Sequence, residues 1–288
     1  MEKPVEIVRH EMNLFPFPER RHYYGHNVPS ESITFVKAGT VQRKNQATIS
    51  STDKSTFVDG IKAFNMAAAS PQAGGNYRQL VSIHRHWWHL MHSADGELGT
   101  QRFLTWHRVY LSVLEFYIRL IPNFSNFFIP YWDWATDKSI PAWLENFTPH
   151  VDIPDTETIP PTPSSWDHID VYRTPGQHGG YLPYPDQVNN ALTIDQYRSF
   201  TMYLENLHNN VHAWVGGTMT DIMTSPADPL FWLHHANIDR IYTLWQKTHP
   251  DSPVHIPDLG PPGSLAQVMD PWSGTEPQWR HSTWAEYL

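Results

Sequence analysis

The chain has no cysteine. That excludes disulfides, thiolate metal sites, iron–sulfur clusters and cysteine nucleophiles together, and leaves the compartment open. Positive charge is scarce: 20 Lys and Arg stand against 29 Asp and Glu, for a formal net charge of −9, and no basic run occurs. These features argue against a surface that tracks nucleic-acid phosphates or an anionic membrane. No apolar run approaches the ~18 residues that cross a bilayer. The opening MEKPVEIVRHEM is too charged for a signal-peptide core. The expectation is a soluble chain without a membrane partner, with the cytoplasm favoured. Solenoid-length repeats and low-complexity tracts are also missing. What is present is 288 residues, 40% of them hydrophobic and 17% charged, enough to bury a sizeable core. That length does not demand two domains. A single domain over 1–288 is expected, with 1–50 and 250–288 as irregular wrapping segments. The abundant residues are 18 His and 13 Trp.

The pattern is mainly α with little β. A helix is expected from Thr52, where Phe57, Val58, Ile61 and Phe64 recur at helical spacing after a capping-type Ser-Ser-Thr. Another covers 77–93 through Tyr77, Leu80, Val81, His84 and Trp88. The stripe Val109, Tyr110, Val113, Leu114, Tyr117, Ile118 marks a helix at 107–121, ended by Pro122. Nine prolines in 141–187 preclude a regular helix or central strand there and read as a long ordered loop. Helices resume at 194–213 and 229–247.

The histidines lie on these helices. His84, His86, His89, His92 and His107 form one group; His208, His212, His234 and His235 form another. In HNNVH, His208 and His212 share a helix face one turn apart, which suits a single ion. A zinc-protease reading needs Glu directly after the first His, and Asn209 stands there. The segments FLTWHR (103–108) and FWLHHA (231–236) align on Phe103 and Phe231, which brings His107 and His235 to the same place. The chain thus reads as two matched half-sites, each a histidine pair plus a third from a Phe-xxx-His segment. All-imidazole ligation suits copper or zinc rather than magnesium or calcium, and two such sites facing each other describe a coupled dicopper centre.

These strings carry a resemblance. RFLTWHRVYLSVLE (102–115), PYWDW (130–134), ENLHNNVHAWVGG (205–217) and DPLFWLHHANIDR (228–240) resemble, in order, those of the tyrosinase and polyphenol oxidase family. That family shares its type 3 copper fold with molluscan haemocyanins. The resemblance implies a four-helix bundle holding two copper ions, and oxidation of monophenols and o-diphenols to o-quinones with dioxygen. Oxygen carriage of haemocyanin type and o-aminophenol oxidation are the alternatives. It implies His107 as third ligand of the first copper, and His208, His212 and His235 as ligands of the second. His84 and His92, eight residues apart, fit the first copper's remaining ligands. His89, within a turn of His92, stays open as a competitor. In the family the third ligand usually follows the second by nine positions. Here His107 follows His92 by fifteen, with six extra residues within SADGELGTQR (93–102).

Around the ligands, the resemblance implies Asp239 as an acceptor for a copper-bound imidazole, and Phe103 and Phe231 packed against the rings. Arg108 and Glu115 read as structural. Glu205 and Asn209 match residues that hold a water near the second copper, able to take a phenol's proton. Ile222 falls where a residue overhangs the copper and limits substrate bulk. With 53 residues after His235, no C-terminal lid domain is expected.

Overall fold

The computed structural model describes residues 42–67, 75–87, 91–152 and 168–253. Within them the chain forms α1 (Ser51–Met66), α2 (Tyr77–Trp87), α3 (Glu97–Leu120), β1 (His150–Asp152), β2 (His168–Asp170), α4 (Pro185–Leu192), α5 (Tyr197–Val215) and α6 (Pro229–Thr248). The fold is mainly helical. The two short strands pair antiparallel, with Val151 opposite Ile169. None of the described helices is long and apolar enough to cross a membrane.

Helix starts follow local chemistry. Ser50 Oγ accepts from Asp53 N and Asp53 Oδ2 accepts from Ser50 N, a reciprocal capping box that opens α1. Asp228 caps α6 by accepting from Leu230 N, and Pro229 takes the first helical position. At the end of α5, Gly216 and Gly217 adopt φ of 69° and 56°. A Cβ on Gly217 would fall 2.2 Å from Tyr172 O, so the tight turn depends on glycine.

Three expectations need correction. The helix expected over 77–93 is described from Tyr77 to Trp87, residues 88–90 lie outside those described, and the helix does not reach 93. His92 is extended (φ −127°, ψ 151°) and leads into a short 3₁₀ turn at Ser93–Asp95. The helix expected at 107–121 begins ten residues earlier, at Glu97. Gly99, Thr100 and Gln101 show no apolar stripe, yet they are buried by tertiary packing, which overrides their weak propensity. The described parts of the proline-rich stretch carry β1, β2 and the start of α4, which Pro185 opens, where a loop was expected. Residues 153–167 of it lie outside those described, as do 1–41 and 254–288 of the expected wrapping segments.

Helix α3 packs against α2, α5 and α6. The core is aromatic, with Trp106, Trp132, Trp134, Trp232 and Trp245 fully buried. Each such side chain contributes on the order of 1.5–3 kcal/mol by leaving water. Polar ties cross this core. Tyr110 donates to Leu80 O (2.6 Å), joining α3 to α2, and Tyr77 donates to Pro226 O (2.9 Å). A buried charge chain runs alongside: Arg43 grips Glu115 through two bonds of 2.8 and 3.1 Å and reaches Asp239 at 3.4 Å, while Arg108 Nε bonds Asp239 Oδ1 at 2.5 Å. Arg108 and Glu115 are structural, as expected, and Arg43 extends the tie to the N-terminal segment.

Candidate metal centre

The packing of α2, α3, α5 and α6 brings the histidines of both groups together. Ligand nitrogens of His84, His92 and His107 lie within 4.8 Å of one another, and so do those of His208, His212, His234 and His235. The clusters adjoin. The His107 and His235 rings stack with centroids 4.4 Å apart, and His92 lies 6.3 Å from His208. His89 lies outside the described residues, as does the side chain of His86.

Three rings have their orientation set by an oxygen. Carbonyls only accept, so His107 Nδ1–H donates to Phe103 O and His212 Nδ1–H to Met219 O, both at 2.7 Å. His208 Nδ1 meets Asn209 Oδ1 at 2.9 Å. The glycine turn at 216–217 is what carries the Met219 carbonyl back to His212. With Nδ1 occupied, each of these rings points an Nε2 lone pair inward.

Those inward nitrogens crowd each other. His84 and His107 Nε2 are 3.4 Å apart, His208 and His235 Nε2 3.1 Å, and His212 and His235 Nε2 3.4 Å. Burial holds His84, His107, His208 and His235 well below the usual histidine range, reinforced by neighbouring imidazoles. His212 is pulled down to about 4 by the same desolvation, partly offset by the Met219 carbonyl. His107, His208 and His212 each turn an Nε2 lone pair inward, so only an Nε2–H on His84 or His235 can meet them, and His84 Nδ1 and His235 Nδ1 have no hydrogen-bond partner among the described residues. An ion with imidazole bonds of ~2.0–2.1 Å sets its ligand nitrogens ~3.3 Å apart in a tetrahedral site. The spacings match, and an ion takes up the inward lone pairs of His208 and His212, which a single Nε2–H on His235 cannot serve together. The residues therefore fit a metal in each cluster.

His234 is a member of the second cluster by distance but differs in chemistry. Trp134 Nε1, a donor only, donates to its Nδ1 at 3.0 Å. The neutral ring's proton therefore sits on Nε2, and neither nitrogen has a lone pair free for an ion. His234 stacks on His208 instead, at 4.9 Å and 18°. Trp134 belongs to PYWDW, a string visible in the sequence whose role was not.

The surrounding residues fall partly where expected. Phe103 packs on His92, His107 and His208 at 5.0–5.6 Å, and Phe231 stacks on His235 at 4.0 Å. Asp239 does not reach an imidazole in this arrangement. Its two oxygens are taken by Arg108 and Arg43, because two buried guanidiniums compete for the carboxylate more strongly than a neutral ring. Asn209 turns its Oδ1 to His208, and Glu205 accepts from Ser93 N through both oxygens, at 2.9 and 3.2 Å. Ile222 is half-buried. Its backbone lies beside His84 and partly offsets that ring's lowered proton affinity, although no full hydrogen bond to Nδ1 forms. Arg43, which sets the position of Asp239, had no signal in the sequence.

A mainly helical protein with two adjoining, buried imidazole clusters belongs to the class built to hold a pair of metal ions. The comparisons narrow that class. Residues 74–178 and 179–248 match the common central domain of tyrosinase. The chain is 32% identical to a tyrosinase of Streptomyces lincolnensis over 82% of this chain and 93% of the relative. It is 28% identical to hemocyanin units G and H of Sepia officinalis over 77% of this chain and 42% of the relative. Among solved structures, recombinant mushroom tyrosinase superposes with a TM-score of 0.59 at 19% identity, over 87% of this chain and 61% of that one, which speaks for the fold. The chain belongs to the tyrosinase family. It is a tyrosinase-type oxidoreductase whose cofactor is a dinuclear copper centre, acting in copper-dependent oxidation of phenols with dioxygen.

Proposed function

We propose that this protein oxidises monophenols and o-diphenols to o-quinones, with His84, His92 and His107 holding one copper and His208, His212 and His235 the other. The observation that carries this reading is the contact between the clusters, with the His107 and His235 rings 4.4 Å apart. One substrate can therefore address both ions. The copper pair supplies dioxygen binding and two-electron oxidation, with oxygen insertion for monophenols. The chain's own residues supply a dry, rigid frame. Phe103 and Phe231 limit ring motion, and the oxygens on His107, His208 and His212 hold those imidazoles in the ligating tautomer. Ile222, beside His84, overhangs the first cluster and limits the bulk of the phenol.

A phenol must lose a proton with a pKa near ~10 to bind as phenolate. Glu205, buried three residues before His208, and Asn209, directly after it, are the residues that hold a water to take that proton. Asn209 keeps its amide N–H groups for this while Oδ1 serves His208. A catechol is more acidic and has two oxygens, so it depends less on this help. Glu205→Gln and Asn209→Ala, each verified to hold two coppers, are expected to lower the monophenol-to-catechol activity ratio at least ~10-fold, a floor well below the ~10²–10⁴-fold that a placed base contributes. Equal losses on both substrates would assign the pair a structural role. The hemocyanin relative keeps a second reading in play, reversible oxygen carriage. Phenol, catechol and o-aminophenol offered to copper-loaded protein separate the cases: oxygen binding without turnover of any of the three identifies a carrier, and preference for o-aminophenol redirects the substrate class.

A further inference from the structure

Among the described candidate ligands, His92 is the one that stands on no regular helix, so something else must hold it. It is extended and buried, 4% exposed, and the next residue begins a 3₁₀ turn. Ser93 N–H donates to both oxygens of Glu205, whose side chain is buried on α5. A carboxylate buried this deeply is costly unless it is hydrogen-bonded, and bonds to an ionised acceptor are the stronger kind. Two further ties bind α5 to the stretch after His92. Tyr197 donates to Gln101 O at 2.9 Å, and Arg198 pairs with Glu97 at 2.8 Å. From the other side, Gly99 brings α3 so close that a Cβ there would lie 1.9 Å from His92 O. This stretch is SADGELGTQR, where the six extra residues between second and third ligand fall.

We infer that Glu205 is a positioning residue for the first histidine cluster: from α5, the helix that carries His208 and His212, its carboxylate holds Ser93 and thereby sets the place of His92. One helix then serves both clusters, ligating directly in the second and through a backbone bond in the first. The inference rests on His92 being a ligand.

The test removes one hydrogen. Ser93→Pro deletes the N–H, while His92 already has the extended backbone that a residue before proline requires, and the first residue of a helical turn accepts proline. Copper equivalents retained per chain are measured by metal analysis during titration with a chelator. Ser93→Pro is expected to hold one of its two coppers about tenfold or more weakly, the effect of losing a group that orients a ligand, whereas Ser93→Ala, which keeps the N–H, holds both. Wild-type retention of both coppers in Ser93→Pro overturns the inference. If far-ultraviolet circular dichroism shows that the proline variant does not fold, Glu205→Gln and Glu205→Leu decide. Gln keeps an oxygen for Ser93 and is expected to hold two coppers where Leu holds one; equal copper contents overturn the inference. His92→Ala, run alongside, is expected to lose one copper. If it keeps both, the ligand assignment fails and the inference falls with it; loss in His92→Ala with retention in Ser93→Pro defeats the inference alone.

Discussion

Gly99→Ala sets two effects of opposite sign against each other. Alanine in a helix is favoured over glycine by ~0.5–1 kcal/mol, so a solvent-facing Gly99 would gain stability on substitution. Gly99 instead faces backbone: its new Cβ would stand 1.9 Å from His92 O, 2.7 Å from His92 C and 3.1 Å from His92 N. A peptide group cannot rotate away as a flexible side chain could, so the His92 segment or the first turn of α3 must shift by about 1 Å. Overpacking of this kind costs ~1–3 kcal/mol, which exceeds the propensity gain. The copper-free variant is expected to be ~1–2 kcal/mol less stable in urea denaturation followed by circular dichroism. The same shift exceeds the ~0.2 Å tolerance of a ligand bond, so the variant should retain one copper tightly where the wild type retains two. A variant more stable by ~0.5–1 kcal/mol and holding two coppers would refute the reasoning and show that the His92 segment yields freely.

The charge chain and the fourth histidine give two more expectations. Asp239→Ala leaves Arg108 and Arg43 buried without their shared carboxylate and should cost ~3–5 kcal/mol in the same denaturation assay; a loss below ~1 kcal/mol would contradict the burial of the network. Trp134→Phe removes the donor on His234 and should cost ~1–2 kcal/mol while two coppers remain. A change in copper content would mean that His234 takes part in ligation.

Much of this protein was readable from residue order because the relevant signals are local. Helical spacing placed His208 with His212, and the repeated Phe-xxx-His placed His107 and His235, because a helix converts sequence separation directly into a shared face. The four strings that carry the family resemblance are contiguous for the same reason. Boundaries were poorer where packing outweighed propensity. Glu97–Gln101 joins α3 only because Gly99 seats on His92 and Tyr197 and Arg198 of α5 grip this turn. The helix expected to carry both His84 and His92 does not extend to His92, whose own backbone is extended where it joins the cluster.

By itself the sequence determined the chemistry available: no thiolate, two sets of imidazoles, a mainly helical frame and a dinuclear copper family. Tertiary structure alone decided how each polar group is spent. Asp239, one turn from His235 and well placed by helical spacing to serve it, is claimed by Arg108 and by Arg43, which lies 196 residues away. His234, adjacent to a ligand and inside the cluster, is disqualified by the indole of Trp134, 100 residues away. Glu205 holds a backbone N–H 112 residues upstream. The physical reason is common to all three. A buried polar group must bond to whatever the fold brings against it, and that partner is set by how helices pack, which local periodicity does not encode.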